Sequence, residues 1–424
     1  MLSVIAVLNV LLGFVRESIT AYYFGTSADL DAFLVASTLP RLIPLHAVQI
    51  TVSVVLPLYV GYLEMGKREE ATALLQRWWR FLSKAMIVFC LVVGILAPLV
   101  VRGIGPGMTS EQHHQAAGWL RWLLPAVLTM TLSGCFKVVL DQNRRFFMPA
   151  MSGAFLSVAI IASAVVGHDS MGVASMIPGF VVGSAAGFLF QWKQSNEYEP
   201  RLMSWKDLPA HVKLPLAGGG IMVLNSLAQE ANLIIDRAFA SQLPEGSIAA
   251  LNYAKTFTSV PQTIVGAAVA TALFPVLSEK IARDQWREAF RTTLGWTIVV
   301  MLLGLIPVAA ITIWRHELIA LVFQRGAFGR EATEMTASVV YVLTFMLLIW
   351  CGNQLVMRLL LAQSQHRAIL ISTIMVVVLK IILNMILTPT LGLMGVALAT
   401  VVSVGLSTLF KYVAAAMYTR QGAG

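Results

Sequence analysis

The chain has 424 residues, 58% hydrophobic and only 12% charged, and 30 Lys plus Arg against 21 Asp plus Glu leave a formal charge of +9. A soluble domain averages about 25% charged residues, so a soluble enzyme, a secreted disulfide scaffold and a nucleic-acid-binding domain are all poor fits. Cys90, Cys135 and Cys351 lie in apolar runs and read as small packing residues.

Stretches of about 20 apolar residues, the length that crosses a bilayer, recur along the whole chain. Twelve spans are predicted, at roughly 1–23, 30–62, 79–101, 117–140, 148–167, 171–192, 212–240, 248–277, 290–314, 334–361, 367–388 and 393–416. The first runs from Met1 into Arg16 and Glu17 without a basic leader or a small-residue cleavage motif, so it reads as a membrane helix with almost no cytoplasmic tail. Pro40, Pro44 and Pro57 predict bends in the second. With the N-terminus inside, the inner loops and tail carry 19 Lys and Arg, beginning with Lys67, Arg68, Arg77, Arg80 and Lys84. The outer loops carry 4, namely Arg102, Arg315, Arg325 and Arg330. This asymmetry predicts both termini in the cytoplasm.

The halves resemble each other. Leu56-Pro57-Leu58 leads into Lys67-Arg68-Glu69-Glu70, and Phe274-Pro275-Val276 leads into Arg283-Asp284 and Arg287-Glu288. Gln142-Asn143-Arg144-Arg145 parallels Ser364-Gln365-His366-Arg367, and Met171-Gly172-Val173-Ala174 parallels Met394-Gly395-Val396-Ala397. The expected fold is an all-α integral membrane protein of two parallel-related six-helix lobes, 1–192 and 212–424, around a central cavity, joined by a cytoplasmic linker at 193–211.

Charges within spans are costly and belong in a cavity or in pairs. Arg16, Arg41, Arg237 and Lys255 are candidate cations of an anion-binding cavity, since guanidinium groups grip phosphate oxygens as a fork. The competing reading is ion pairing, for example Arg16 with Asp31, or Arg237 with Asp236 or Glu230. Lys380 reads as a snorkelling side chain. His113-His114 reads as a solvated outer loop, the stripe Gly179, Gly183 and Gly187 as close helix packing, and Gln324 to Arg330 as an outer turn.

Gly13-Phe14-Val15-Arg16-Glu17, Phe24-Gly25, Asp31-Ala32-Phe33-Leu34-Val35-Ala36 and Leu39-Pro40 together resemble the opening of the MurJ/MviN lipid II flippases, of the multidrug/oligosaccharidyl-lipid/polysaccharide exporter superfamily. Asn252-Tyr253-Ala254, Gly266 to Ser278 and Leu321 to Phe328 extend the resemblance over nearly the whole chain. The resemblance implies that an undecaprenyl-pyrophosphate-linked glycan is flipped from the inner to the outer leaflet of the bacterial inner membrane. It implies alternating access driven by an ion gradient or the membrane potential, without ATP hydrolysis; the residues themselves offer no large outer catalytic loop or acid/base cluster with metal, so an enzyme is not expected. Glycan-synthesis enzymes of the envelope are possible partners by the same resemblance. It carries a functional arginine onto Arg16 and an aspartate onto Asp31. Some members bind a cation in the second lobe, for which Asp236, Asn384 and Thr388 supply oxygens here; a coupling monovalent cation is the one ligand of that kind expected.

The sequence departs from the family where arginines are expected, at Val10, Pro44 and Thr256, and Gln49 stands at an acidic position; Arg41 and Lys255 lie nearby. The chain also stops after about twelve spans, without the two further helices common in the family. These departures leave room for an exopolysaccharide or O-antigen unit as cargo, or for an ion-coupled drug exporter of the same superfamily.

Overall fold

The computed structural model describes residues 2–142, 145, 147–195 and 220–421; the described residues are helical, with short connections and no strand. The first predicted span is α1, Leu2–Phe24. The second comprises α2 (Ala28–Ala36), α3 (Thr38–Ile50), a π-helical turn at Thr51–Val55, then α4 (Leu56–Glu64); α3 runs through Pro44 without a break, and Pro57 lies in the opening turn of α4, where no amide proton is needed. There follow α5 (Arg68–Ile95), the short α6 (Ala97–Ile104), α7 (Ser110–Gln142), α8 (Phe147–Met171) and α9 (Met176–Ser195). The second half runs α10 (Gly220–Ala240), α11 (Ser247–Ala282), α12 (Trp286–Ile313), the short α13 (Arg315–Phe323), α14 (Arg330–Leu343), α15 (Met346–Ala362), α16 (His366–Leu391) and α17 (Leu393–Gln421). Among the described residues, seven helical segments are long and apolar enough to cross a membrane. An eighth is the pair α14–α15, bent by 42°.

The repeat extends from sequence to backbone. An offset of 218 residues carries Arg68–Ile95 onto Trp286–Ile313 and the start of α6 onto the start of α13; an offset of 220 carries Ser110–Gln142 onto Arg330–Ala362. The turns repeat bond for bond. Gly66 N donates to Leu63 O at 3.0 Å and Lys67 N to Tyr62 O at 2.9 Å; Asp284 N donates to Ile281 O at 3.0 Å and Gln285 N to Lys280 O at 2.9 Å. Arg145 N to Leu140 O and Gln365 N to Leu360 O, both 2.9 Å, repeat the same closure. In three of the four the helix end is capped by a described left-handed residue, Gly66 (φ +73°), Asp284 (φ +55°) or Ser364 (φ +56°). The backbone corrects two of the sequence matches. Arg145 answers to Gln365 rather than to Arg367, and left-handed Gly172 (φ +55°) answers to Gly392 (φ +56°) rather than to Gly395.

The chain divides into two compact units, one of Met1–Tyr23 with Ala28–Leu227, the other of Phe24–Ser27 with Ala228–Gly424. Beyond Ser195 the predicted linker lies outside the described residues. In the first unit, α9 lies against α8 along its glycine stripe. A Cβ on Gly179 would stand 2.1 Å from Ser163 Oγ, and one on Gly183 2.9 Å from Leu156 Cα. His113, expected in a loop, stands in α7 with its Nε2 2.8 Å from Gly105 O. In the second unit, α12 buries Ala289, Thr293, Thr297, Val300, Gly304, Val308 and Ile311, while Leu302, Leu303 and Ile306 stand exposed. All of the small and hydroxyl residues named face protein, beside Val300, Val308 and Ile311, while the leucines and Ile306 face outward, the pattern of a helix solvated by lipid. The turn Phe24–Ser27 belongs to this unit: Tyr253 Oη donates to Gly25 O at 3.0 Å, and Tyr253 packs on Phe323 and Phe328.

Candidate functional site

Each unit holds a group of charged side chains inside its spans. In the first, α1 carries Arg16 and Glu17, and Arg16 Nη2 donates to Glu17 Oε1 at 2.8 Å with the carboxylate side chain 8% exposed. Arg41, on α3, lies within electrostatic reach of both. Its guanidinium carbon stands 5.7 Å from the centroid of the Phe180 ring of α9, a flat apolar platform on which a cation rests without full hydration. One ion pair and a second guanidinium thus stand near one another. Asp31 is buried in the first turn of α2, next to Asp29, where the partial positive charge of the helix N-terminus favours an acid.

The second group is tighter. Asp236 of α10 is 1% exposed and accepts on both oxygens: Lys255 of α11 on Oδ2, and Lys380 of α16 on Oδ1 at 2.8 Å. Thr400 of α17 also donates to Oδ1 at 3.3 Å. Lys380 Nζ donates a further bond to Asn232 O at 3.1 Å, one helical turn before Asp236. Asn384 Nδ2 donates to Lys380 O at 2.8 Å, and Thr388 Oγ1 donates to Asn384 Oδ1 at 3.2 Å. Lys380, Asn384 and Thr388 are spaced at i, i+4 and i+8, so they fall on one face of α16. Here two cations meet one carboxylate.

Of the predicted residues, Arg16 and Arg41 are brought together, and so are Asp236 and Lys255. Arg237 is buried at 4% in the last turn of α10, where a helix C-terminus favours a cation. The ion pair weighed for Asp236 with its chain neighbour gives way to the two lysines. Lys380 does not snorkel: at 1% exposure its ammonium ends inside the bundle. Glu17 and Lys380, both legible as charges within spans, are the two charged members that were not expected among the site residues. The spacing from Lys380 to Asn384 and Thr388 is the signal that marks the lysine as inward-facing.

Lys255 also shows why a nearby cation is not a substitute for a missing one. Neighbouring helical residues point about 100° apart, so Lys255 reaches Asp236 rather than the direction Thr256 faces. Arg41 and Pro44, three residues apart on α3, share a face.

The family model described as Lipid II flippase MurJ matches residues 20–421. A Rickettsia prowazekii chain described as a probable lipid II flippase MurJ is 23% identical over 409 residues, covering 94% of this chain and 80% of its own. A solved structure described as lipid II flippase MurJ in an inward closed conformation superposes with a TM-score of 0.79 at 22% identity, covering 97% of this chain and 87% of that one. An inward-facing multidrug resistance MATE family transporter shares the fold at a TM-score of 0.72 and 12% identity, covering 98% and 95%.

Proposed function

Because this chain belongs to the Lipid II flippase MurJ family, we propose that it carries lipid II, an undecaprenyl-pyrophosphate-linked glycan precursor, from the inner to the outer leaflet of the bacterial inner membrane. The chain is a multi-pass helical membrane protein. The observation that carries the reading is the pair of guanidiniums, Arg16 and Arg41, close enough to act on each other inside the first unit. A drug exporter for cationic cargo needs an acidic cavity instead.

In this reading the pyrophosphate meets Arg41 on its Phe180 platform and Arg16 as oriented by Glu17. Both guanidiniums keep donors for phosphate oxygens, and fork geometry suits that anion. The carboxylate holds Arg16 in place and tempers the group's charge, so the headgroup can leave again. Lys255, tied to Asp236, serves the second unit's own architecture before it serves cargo. Transport proceeds by alternating access without bond making or breaking, and both termini lie in the cytoplasm, as the 19 to 4 distribution of loop cations supports.

The test is complementation of a bacterium depleted of its own lipid II flippase. Rescue by the wild type, with loss on Arg16→Ala and Arg41→Ala at equal membrane abundance, is the expected result. Absence of rescue by a wild type confirmed in the membrane overturns lipid II as cargo and moves the reading to another lipid-linked glycan.

A further inference from the structure

Within the second unit, the oxygens named above for a cation are already engaged. Both carboxylate oxygens of Asp236 hold lysine ammoniums, and Thr400 adds a donor to Oδ1. Asn384 Oδ1 takes the Thr388 hydroxyl, and the Asn384 amide is turned to Lys380 O. The group already carries two positive charges against one negative, in an interior where like charges repel far more strongly than in water. A third cation is therefore disfavoured on both charge and ligand count, so the predicted set of Asp236, Asn384 and Thr388 does not suit a free ion.

The surroundings of Lys380 Nζ are nonetheless those of a cation. A carboxylate oxygen at 2.8 Å and a backbone carbonyl at 3.1 Å, both from α10, are oxygen ligands of the type that hard cations select. The ammonium arrives from α16 on a buried stem, with Asn384 and Thr388 in the next two turns of the same face. We propose that Lys380 is a tethered cation: its ammonium takes the place that a monovalent ion would occupy at Asp236, and no free ion binds there. The helices α10, α11, α16 and α17 are thus joined through one carboxylate without an exchangeable ion. This does not depend on the cargo assigned above.

Thermal unfolding of the detergent-purified full chain tests it, in NaCl, LiCl and choline chloride at equal ionic strength. Binding to the native state raises the melting temperature, and above the dissociation constant the rise follows the logarithm of ligand concentration. The wild type is expected to melt within about 1 °C in all three salts. Lys380→Asn removes the ammonium and supplies an oxygen. It is expected to melt lower in choline and to recover by several degrees, in a concentration-dependent way, in NaCl or LiCl; Lys380→Gln replaces it should the asparagine variant not accumulate. Stabilisation of the wild type by Na⁺ or Li⁺ over choline that Asp236→Asn abolishes overturns the proposal. So does a Lys380 variant that no monovalent ion restores.

Discussion

At Thr51 one hydroxyl settles a helix break. It accepts from Trp78 Nε1 at 2.8 Å, donates to Ala47 O at 2.7 Å and lies 3.3 Å from Cys135 Sγ, all buried. The π-helical turn that starts there is held by a side chain from α5 and one from α7, not by local preference. Thr51→Val leaves the indole N–H without a partner and should lower stability by about 1–3 kcal/mol; Thr51→Ser keeps the hydroxyl and should recover most of the loss, read as melting temperature in detergent. Phe180→Leu removes the ring under Arg41 and should weaken the hold on that guanidinium by ~0.5–2 kcal/mol, seen as reduced complementation at unchanged abundance. Arg16 was recognisable in the sequence because an arginine within an apolar run is costly. Its bond to Glu17, the next residue, was not, since neighbours on a helix diverge and only a long side chain folding back closes the pair.

At the scale of elements, the repeated turns give a test between two halves of one molecule. Gly66 and Asp284 occupy the same left-handed position in the same hydrogen-bonded turn. A non-glycine residue pays roughly 1–2 kcal/mol there, less for aspartate. Asp284→Gly should therefore be neutral or stabilising by up to ~1 kcal/mol, whereas Gly66→Val should destabilise by more than that. Melting curves of both variants decide it, and equal effects at the two sites would count against their equivalence. The α8–α9 contact allows no such latitude. Gly183→Val drives a side chain into Leu156 and Ala159, where the neighbouring atoms include backbone, and overpacking should cost at least about 1–3 kcal/mol or prevent accumulation. The glycine stripe was readable from its spacing of four; its partner helix was not, because small-residue stripes look alike whichever helix they face.

For the whole molecule, the loop charges predict topology. Single cysteines at Glu69 and Glu111, in a background without Cys90, Cys135 and Cys351, should label from opposite sides of the membrane, Glu69→Cys from the cytoplasm only. Labelling of both from one side would refute the orientation. What the sequence by itself determined is the chemistry of an apolar solvent: helical spans, a doubled architecture and the family, all carried by periodicity and local motifs. Repetition was visible because related turns keep related residues. The register was not, since Gly172 matches Gly395 by letters but Gly392 by backbone angle. Only the tertiary structure decided where the charges go. Asp236, Lys255 and Lys380 lie on three helices separated by up to 144 residues, and burial joins them because each charge in a low-dielectric interior must find its counter-charge. A residue list marks which side chains need partners; packing alone chooses them.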